Sequence, residues 1–294
     1  MRKFLAVPLA GALVLAFAGA AQAVKGCAAG STACNVTSIS FTPATTKGNQ
    51  PLSSLSLTLG VDYVPTGTPP NTLVPDIAYQ TAITLPFTYN AKGFFSCSPN
   101  DVSLFEATPP GTTPAKNCAN AQVGTGSATA YGVRCGSHPA RNTPGLPVLN
   151  LAITLFNGGT GHLSSFLQST TPGFTGIKGA FDVVIAPTTG GATLTFSLPK
   201  PLVEGIPGTC SPISTTTLTF NKVPTYTKKA KTRSAKKKAK KAKKNFLKTA
   251  ACTGGSWTSK HNVLFTDGSL DANGNLTNKQ IDADTSTATT TCTA

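Results

Sequence analysis

Residues 181–198 read FDVVIAPTTGGATLTFSL, and the fold class is decided here. Phe181-Asp182-Val183-Val184-Ile185 is one strand-like run, with Asp182 the outward-facing polar residue among apolar neighbours. In the second run Leu194, Phe196 and Leu198 alternate with Thr195 and Ser197, the period-two pattern of a half-buried strand. Pro187-Thr-Thr-Gly-Gly191 between them is a turn signal, so the stretch is predicted to be a β-hairpin.

Working outward, the same texture recurs. Strand-like segments bounded by Gly, Pro, Asn and Thr are predicted at 36–42, 55–59, 78–85, 127–133, 148–156, 177–186, 192–198, 215–221, 262–265 and 288–292. Pro65–Pro75 and Thr108–Lys116 are loops. Helical periodicity is hard to find, and there is no strict internal repeat. Short strands at close spacing, in a chain of 294 residues with 28 Gly and 22 Pro, point to an all-β protein. The architecture expected is an antiparallel β-sandwich.

The N-terminus has the layout of an export signal over residues 1–23. Arg2 and Lys3 precede an apolar stretch, Phe4–Ala18, and Ala21-Gln-Ala23 is a small-x-small cleavage site. The apolar stretch is short for a membrane span and Pro8 interrupts it. Gly26-Cys27 ends like a lipid-attachment box, but Lys25 does not fit one. Residues 24–294 then form a single domain. All eight cysteines follow the cleavage site: Cys27, Cys34, Cys97, Cys118, Cys135, Cys210, Cys252 and Cys292. An even count in an exported chain predicts four disulfides, although eight cysteines allow about a hundred pairings. There is no Cys-x-x-Cys, and His138, His162 and His261 are scattered, so neither a metal site nor a cofactor is expected.

A block running from Ile83-Thr-Leu-Pro-Phe87 through Phe95-Ser-Cys97-Ser and Asn117-Cys118 to Ala121-Gln-Val-Gly-Thr-Gly-Ser-Ala-Thr129 has a distinctive spacing. Thr154-Leu-Phe-Asn-Gly158 follows, then Cys252-Thr-Gly-Gly-Ser-Trp257, Phe265-Thr-Asp-Gly268 and Cys292. Over roughly residues 77–294 this resembles a group of uncharacterised secreted β-rich proteins of high-GC Gram-positive (actinobacterial) bacteria, a group without an established activity. The resemblance implies an all-β fold and the pairs Cys97–Cys118 and Cys252–Cys292. With those set aside, Cys27–Cys34 closes a short loop and Cys135–Cys210 is left as a long-range staple. Cys135, Cys210 and a long lysine run depart from the group's pattern.

That run is KKAKTRSAKKKAKKAKKNFLKT, residues 228–249, with twelve cations and no acid. The formal net charge of the chain is +15; without Arg2 and Lys3 it is +13, and without the run as well it is +1. The body is therefore nearly neutral and the positive charge is local. Like charges at i, i+4 (Lys236/Lys240/Lys244 and Lys237/Lys241) oppose a free helix, so residues 228–244 are expected to be a solvated loop inserted between strands. Its candidate polyanion-binding residues are Lys228, Lys229, Lys231, Arg233, Lys236, Lys237, Lys238, Lys240, Lys241, Lys243 and Lys244. No aromatic residue interleaves them before Phe246, so specific nucleic-acid recognition is not indicated.

Chemistry of other kinds finds little support. There is no Gly-x-Ser-x-Gly and no His-Glu-x-x-His. The only glutamates, Glu106 and Glu204, sit in Pro- and Gly-rich neighbourhoods. Asp271, Asn273, Asn275 and Asp282 have part of a calcium-loop spacing, but Leu276 and Lys279 stand at the wrong positions, and Asn273-Gly274 fits a hairpin turn better. The lone Trp257 is read as packing beside the Cys252–Cys292 staple rather than as a sugar platform. The function expected is an exported, non-enzymatic envelope or extracellular protein. Its polybasic segment would tether it to anionic envelope polymers or a lipid surface. A carbohydrate-binding or adhesive module is the alternative.

Overall fold

The computed structural model describes residues 33–65, 72–103, 116–204, 208–227, 232–268, 277 and 279–294. The expected export signal, Cys27, Glu106, Lys228, Lys229, Lys231 and the Asp271–Asn275 stretch lie outside these residues. Fifteen strands are described: β1 (Ala33–Pro43), β2 (Leu55–Pro65), β3 (Ile77–Leu85), β4 (Phe87–Tyr89), β5 (Gln122–Tyr131), β6 (Val133–Arg134), β7 (Val148–Gly159), β8 (His162–Ser169), β9 (Lys178–Thr188), β10 (Gly191–Ser197), β11 (Thr209–Cys210), β12 (Ile213–Phe220), β13 (Leu247–Thr249), β14 (Ser256–Thr266) and β15 (Asp282–Thr291). The helices are α1 (Pro99–Ser103), α2 (Lys116–Ala121), α3 (Lys200–Val203) and α4 (Arg233–Lys244).

The hairpin read from residues 181–198 is present. Thr188 pairs with Gly191 and Val184 with Thr195. The turn between them needs a positive φ, which Gly190 supplies at 95°. Phe181, Val183 and Ile185 face inward; Val184 is exposed, and Asp182 meets His162 at the surface.

All-β, antiparallel and disulfide-stapled describes the molecule. The strands expected in a sandwich belong to one continuous eleven-stranded sheet, in the order β1-β2-β12-β5-β7-β8-β9-β10-β3-β14-β15. It wraps until its two edges lie side by side. Every pairing in the ladder is antiparallel, so an odd number of strands leaves β1 and β15 pointing the same way. Their seam is therefore parallel, with a Lys47–Thr293 bridge just beyond it. Along the seam, side chains stand in for a backbone ladder. Asp282 accepts hydrogen bonds from the Asn35 backbone N–H (2.8 Å) and from Asn35 Nδ2 (3.1 Å). Asp284 accepts from the Thr37 N–H (2.6 Å) and from Thr37 Oγ1 (2.8 Å). These acceptors occupy edge N–H groups of β1 that would otherwise invite another strand.

β8 is the long strand without a sequence signal. Ser165 and Ser169 alternate with Leu163 and Leu167 on its inward face, so that face does not look apolar, and Ser164 is buried on the opposite face. Ser164 is accommodated because its hydroxyl donates to the Cys97 carbonyl at 2.5 Å. Gly124 and Gly126, in the block that carries the resemblance, let β5 lie close on β12. A Cβ at these positions would stand 2.3 and 2.4 Å from the carbonyl oxygens of Thr219 and Thr217.

Three disulfides have both partners described: Cys97–Cys118, Cys135–Cys210 and Cys252–Cys292. Cys34 is also disulfide-bonded. Their sequence separations of 21, 75 and 40 residues correspond to about 3 to 4.5 kcal/mol each in the chain-entropy account. Such bonds persist in an oxidising setting, as outside the cell. No helix among the described residues is long and apolar enough to cross a membrane.

The enclosed core is uneven. Where β1, β3 and β12 end and β2 and β14 begin, Phe41, Phe87, Phe94, Phe220, Phe246 and Trp257 are buried in one cluster with Leu55, Leu57 and Leu85. At the opposite end the inward-facing Phe181, Phe196, Leu198 and Ile213 are only half-buried.

The seam yields a first prediction. Asp282→Ala and Asp284→Ala should each destabilise by roughly 1–3 kcal/mol, because each strands edge N–H groups. Urea unfolding reads the loss. Amide exchange at Asn35 and Thr37 should accelerate before global unfolding; unchanged exchange would show that the seam is held by other contacts.

Candidate functional site

The cationic segment is not the solvated loop expected from its charge. Residues 233–244 form α4, and Thr232 caps it by accepting a hydrogen bond from the Ala235 N–H at 3.1 Å, a contact worth about 1 kcal/mol. Lysine, arginine and alanine are among the strongest helix formers. Lys241, Lys243 and Lys244 fall in the last turn, where the helix dipole favours cations. The i, i+4 repulsion between exposed ammonium groups is weak in water and further screened by salt.

Tertiary anchors at both ends complete the helix. Upstream, Tyr226 bridges to Phe94 and stacks edge-on against it at 5.4 Å. Downstream, Phe246 packs edge-on against Phe94 at 5.0 Å and Tyr89 at 5.2 Å. Ala235, Ala239 and Ala242, at i, i+4 and i+7, are the half-buried positions, and Ala242 packs on the main core. The remaining surface is charge: Arg233, Lys236, Lys237, Lys238, Lys240, Lys241, Lys243 and Lys244 are all exposed. No acidic residue lies in α4, and among the described residues none of its cations forms an ion pair. Eight cations share a rod roughly 18 Å long, and neighbours three or four residues apart, about 5–6 Å at Cβ, lie within the Debye length of about 8–10 Å at physiological salt. A polyanion therefore meets them as one body of charge.

Glu204, Asp182 and Trp257, singled out in the sequence, have structural partners. Glu204 is buried; its carboxylate accepts from the Gly208 N–H at 2.8 Å and lies 3.7 Å from Lys200 Nζ. Asp182 accepts from His162 Nδ1 at 2.8 Å on the surface. Trp257 is buried beside Cys292, as expected, and donates from Nε1 to the Ala251 carbonyl at 3.1 Å. It offers no sugar platform, so the carbohydrate-binding alternative loses that contact.

Two groupings were not legible in the sequence. The first is a polar cluster beside β2. The Asp62 carboxylate pairs with Arg141, whose guanidinium also donates to the Leu73 and Val61 carbonyls. His138 stacks on Tyr63 at 3.6 Å, donates from Nδ1 to the Val74 carbonyl and approaches Asp76 at 3.5 Å. Desolvation raises the pKa of Asp62, against the pull of Arg141, and that of Asp76, against Asn35 and His138. The cluster pins residues 134–143 to the sheet, and no group of three metal-ligating side chains occurs among the described residues. The second is an apolar cavity of about 80 Å3 inside the sheet, with His261 on its wall. His261 Nδ1 faces the Ser38 carbonyl at 3.2 Å. A carbonyl only accepts, so Nδ1 carries the proton and Nε2 the lone pair. Desolvation lowers the His261 pKa to about 4, although the Ser38 carbonyl and Asp284 favour the charged form.

With this geometry established, comparison with protein-family models, curated proteins and solved structures returns no match.

His261 supplies a pH prediction. An unfolded histidine titrates near 6.5 and the folded one near 4. The unfolded chain therefore binds the extra proton first, and stability falls as pH drops from about 6.5 to about 4, by up to roughly 3 kcal/mol. Comparison of the wild type with His261→Gln cancels the opposite titrations of Asp62 and Asp76. The difference between their stabilities should change across that window; parallel curves would refute the buried neutral imidazole.

Proposed function

We propose that this is an exported, non-enzymatic protein of the cell envelope or extracellular space that holds to anionic surfaces through α4. The observation that carries the reading is the helix itself: a capped cationic rod, docked by small residues and aromatic anchors, with every cation free toward solvent. The support is electrostatic. A nearly neutral body with one dense cationic element concentrates its field at that element. Anionic glycan polymers or lipid headgroups are the partners this suits, since such binding needs charge density but no shape readout. Disulfides with both partners in the fold favour an oxidising compartment, where such polymers are found.

The test is binding to vesicles containing phosphatidylglycerol, and separately to purified anionic wall polymer, across a salt series. The full chain should bind at low salt and lose at least tenfold in affinity as salt rises from about 0.05 to 0.5 M. Replacing Lys236, Lys237, Lys238, Lys240, Lys241 and Lys243 by Gln keeps a good helix former at each position. This variant should bind at least tenfold more weakly at low salt with its melting temperature unchanged. Equal binding by both proteins would remove α4 as the tether. Binding that resists salt and yields to a competing sugar would favour the carbohydrate module.

A further inference from the structure

We infer that the cavity inside the nearly closed sheet is a binding site for an uncharged small molecule with a hydrocarbon body. The enclosure follows from strand number. Eight strands give an interior that side chains just fill or that holds one small ligand, and more strands give a wider one. Here eleven strands wrap round, and several inward residues are small: Ala78, Ser165, Ser214 and Thr216. The aromatic plug at one end fills its share of the space. Toward the other end the interior stays open, and an apolar cavity of about 80 Å3 remains there. Inward residues Ser214 to Phe220 of β12 run along it, about 20 Å of strand. Phe181, Phe196, Leu198 and Ile213, the half-buried side chains, place its mouth.

The lining names the ligand class. Leucine, isoleucine, valine and phenylalanine from strands all round the sheet dominate it, and no residue on it is charged at neutral pH. The polar atoms are hydroxyls and the neutral His261 imidazole. A cavity of about 80 Å3 has room for several waters, since one needs only about 10–15 Å3 on this measure, yet it gives them few partners. A hydrocarbon guest displaces such water favourably. A carboxylate or ammonium would be buried with no counter-charge, which is costly. The guest therefore carries at most hydroxyl or carbonyl groups. This site is independent of α4 and of the tether.

The experiment uses the mature chain and the uncharged solvatochromic probe N-phenyl-1-naphthylamine. Saturable one-to-one binding with blue-shifted emission is expected, unaffected by salt and by the lysine-to-glutamine replacements in α4. Ser165→Leu and Ala78→Phe, which fill the cavity from β8 and β3, should each weaken binding at least tenfold with far-ultraviolet circular dichroism unchanged. If one of them fails to fold, the other decides. Dodecan-1-ol should displace the probe, and dodecanoate at least tenfold less well. Absence of saturable binding, or wild-type binding by a folded cavity-filling variant, overturns the site. Equal competition by dodecanoate overturns the uncharged class.

Discussion

The rest of the structure depends on the seam where β1 meets β15. An antiparallel ladder with an odd number of strands cannot close antiparallel, because its first and last strands run in the same direction. Here a wrapped sheet is left with two exposed edges, each a row of unpaired backbone groups. Asp282 and Asp284 meet the N–H groups of Asn35 and Thr37 instead, and the Cys252–Cys292 disulfide ties the end of β15 to the chain entering β14. Charge-assisted bonds to carboxylates are stronger than bonds between neutral groups. A few of them can therefore hold an edge where a continuous ladder cannot form. Without this seam there is no enclosed interior, and without the interior neither the aromatic plug nor the cavity exists.

The aromatic plug connects that core to the surface. Phe94 and Phe246 are buried in it, and Tyr89 and Tyr226 pack on its rim. Tyr226 lies just before the cationic segment and Phe246 just after it. The core thus grips both ends of the segment that carries α4, a helix with no buried residue of its own. Two separable zones result: a charged helix that meets water everywhere except along its alanines, and an uncharged interior away from it. Interactions at the first depend on salt; interactions at the second depend on apolar area and are indifferent to salt.

Much of the fold was legible in the chain. All ten strand-like segments overlap strands, because alternating apolar and polar residues leave a period-two signature wherever one face is buried. The three disulfides with both partners described pair as expected. β8 was not legible, since Ser165 and Ser169 interrupt the apolar pattern of its inward face. The helix at 233–244 was misread as a loop. Charge repulsion is visible in a sequence, whereas a cap works only once the backbone has turned and aromatic anchors work only once distant strands meet.

Residue pattern alone determined the all-β class and the separation of a neutral body from a cationic segment, because each depends on local periodicity or on composition. Tertiary structure decided the number and order of strands, the side-chain seam between β1 and β15, the helical state of α4 and the hollow interior. These depend on which residues far apart in sequence become neighbours. His261 shows the difference most directly. In the chain it is an isolated histidine between Lys260 and Asn262; only the packing of β14 beneath β1 removes it from water and puts it on the cavity wall.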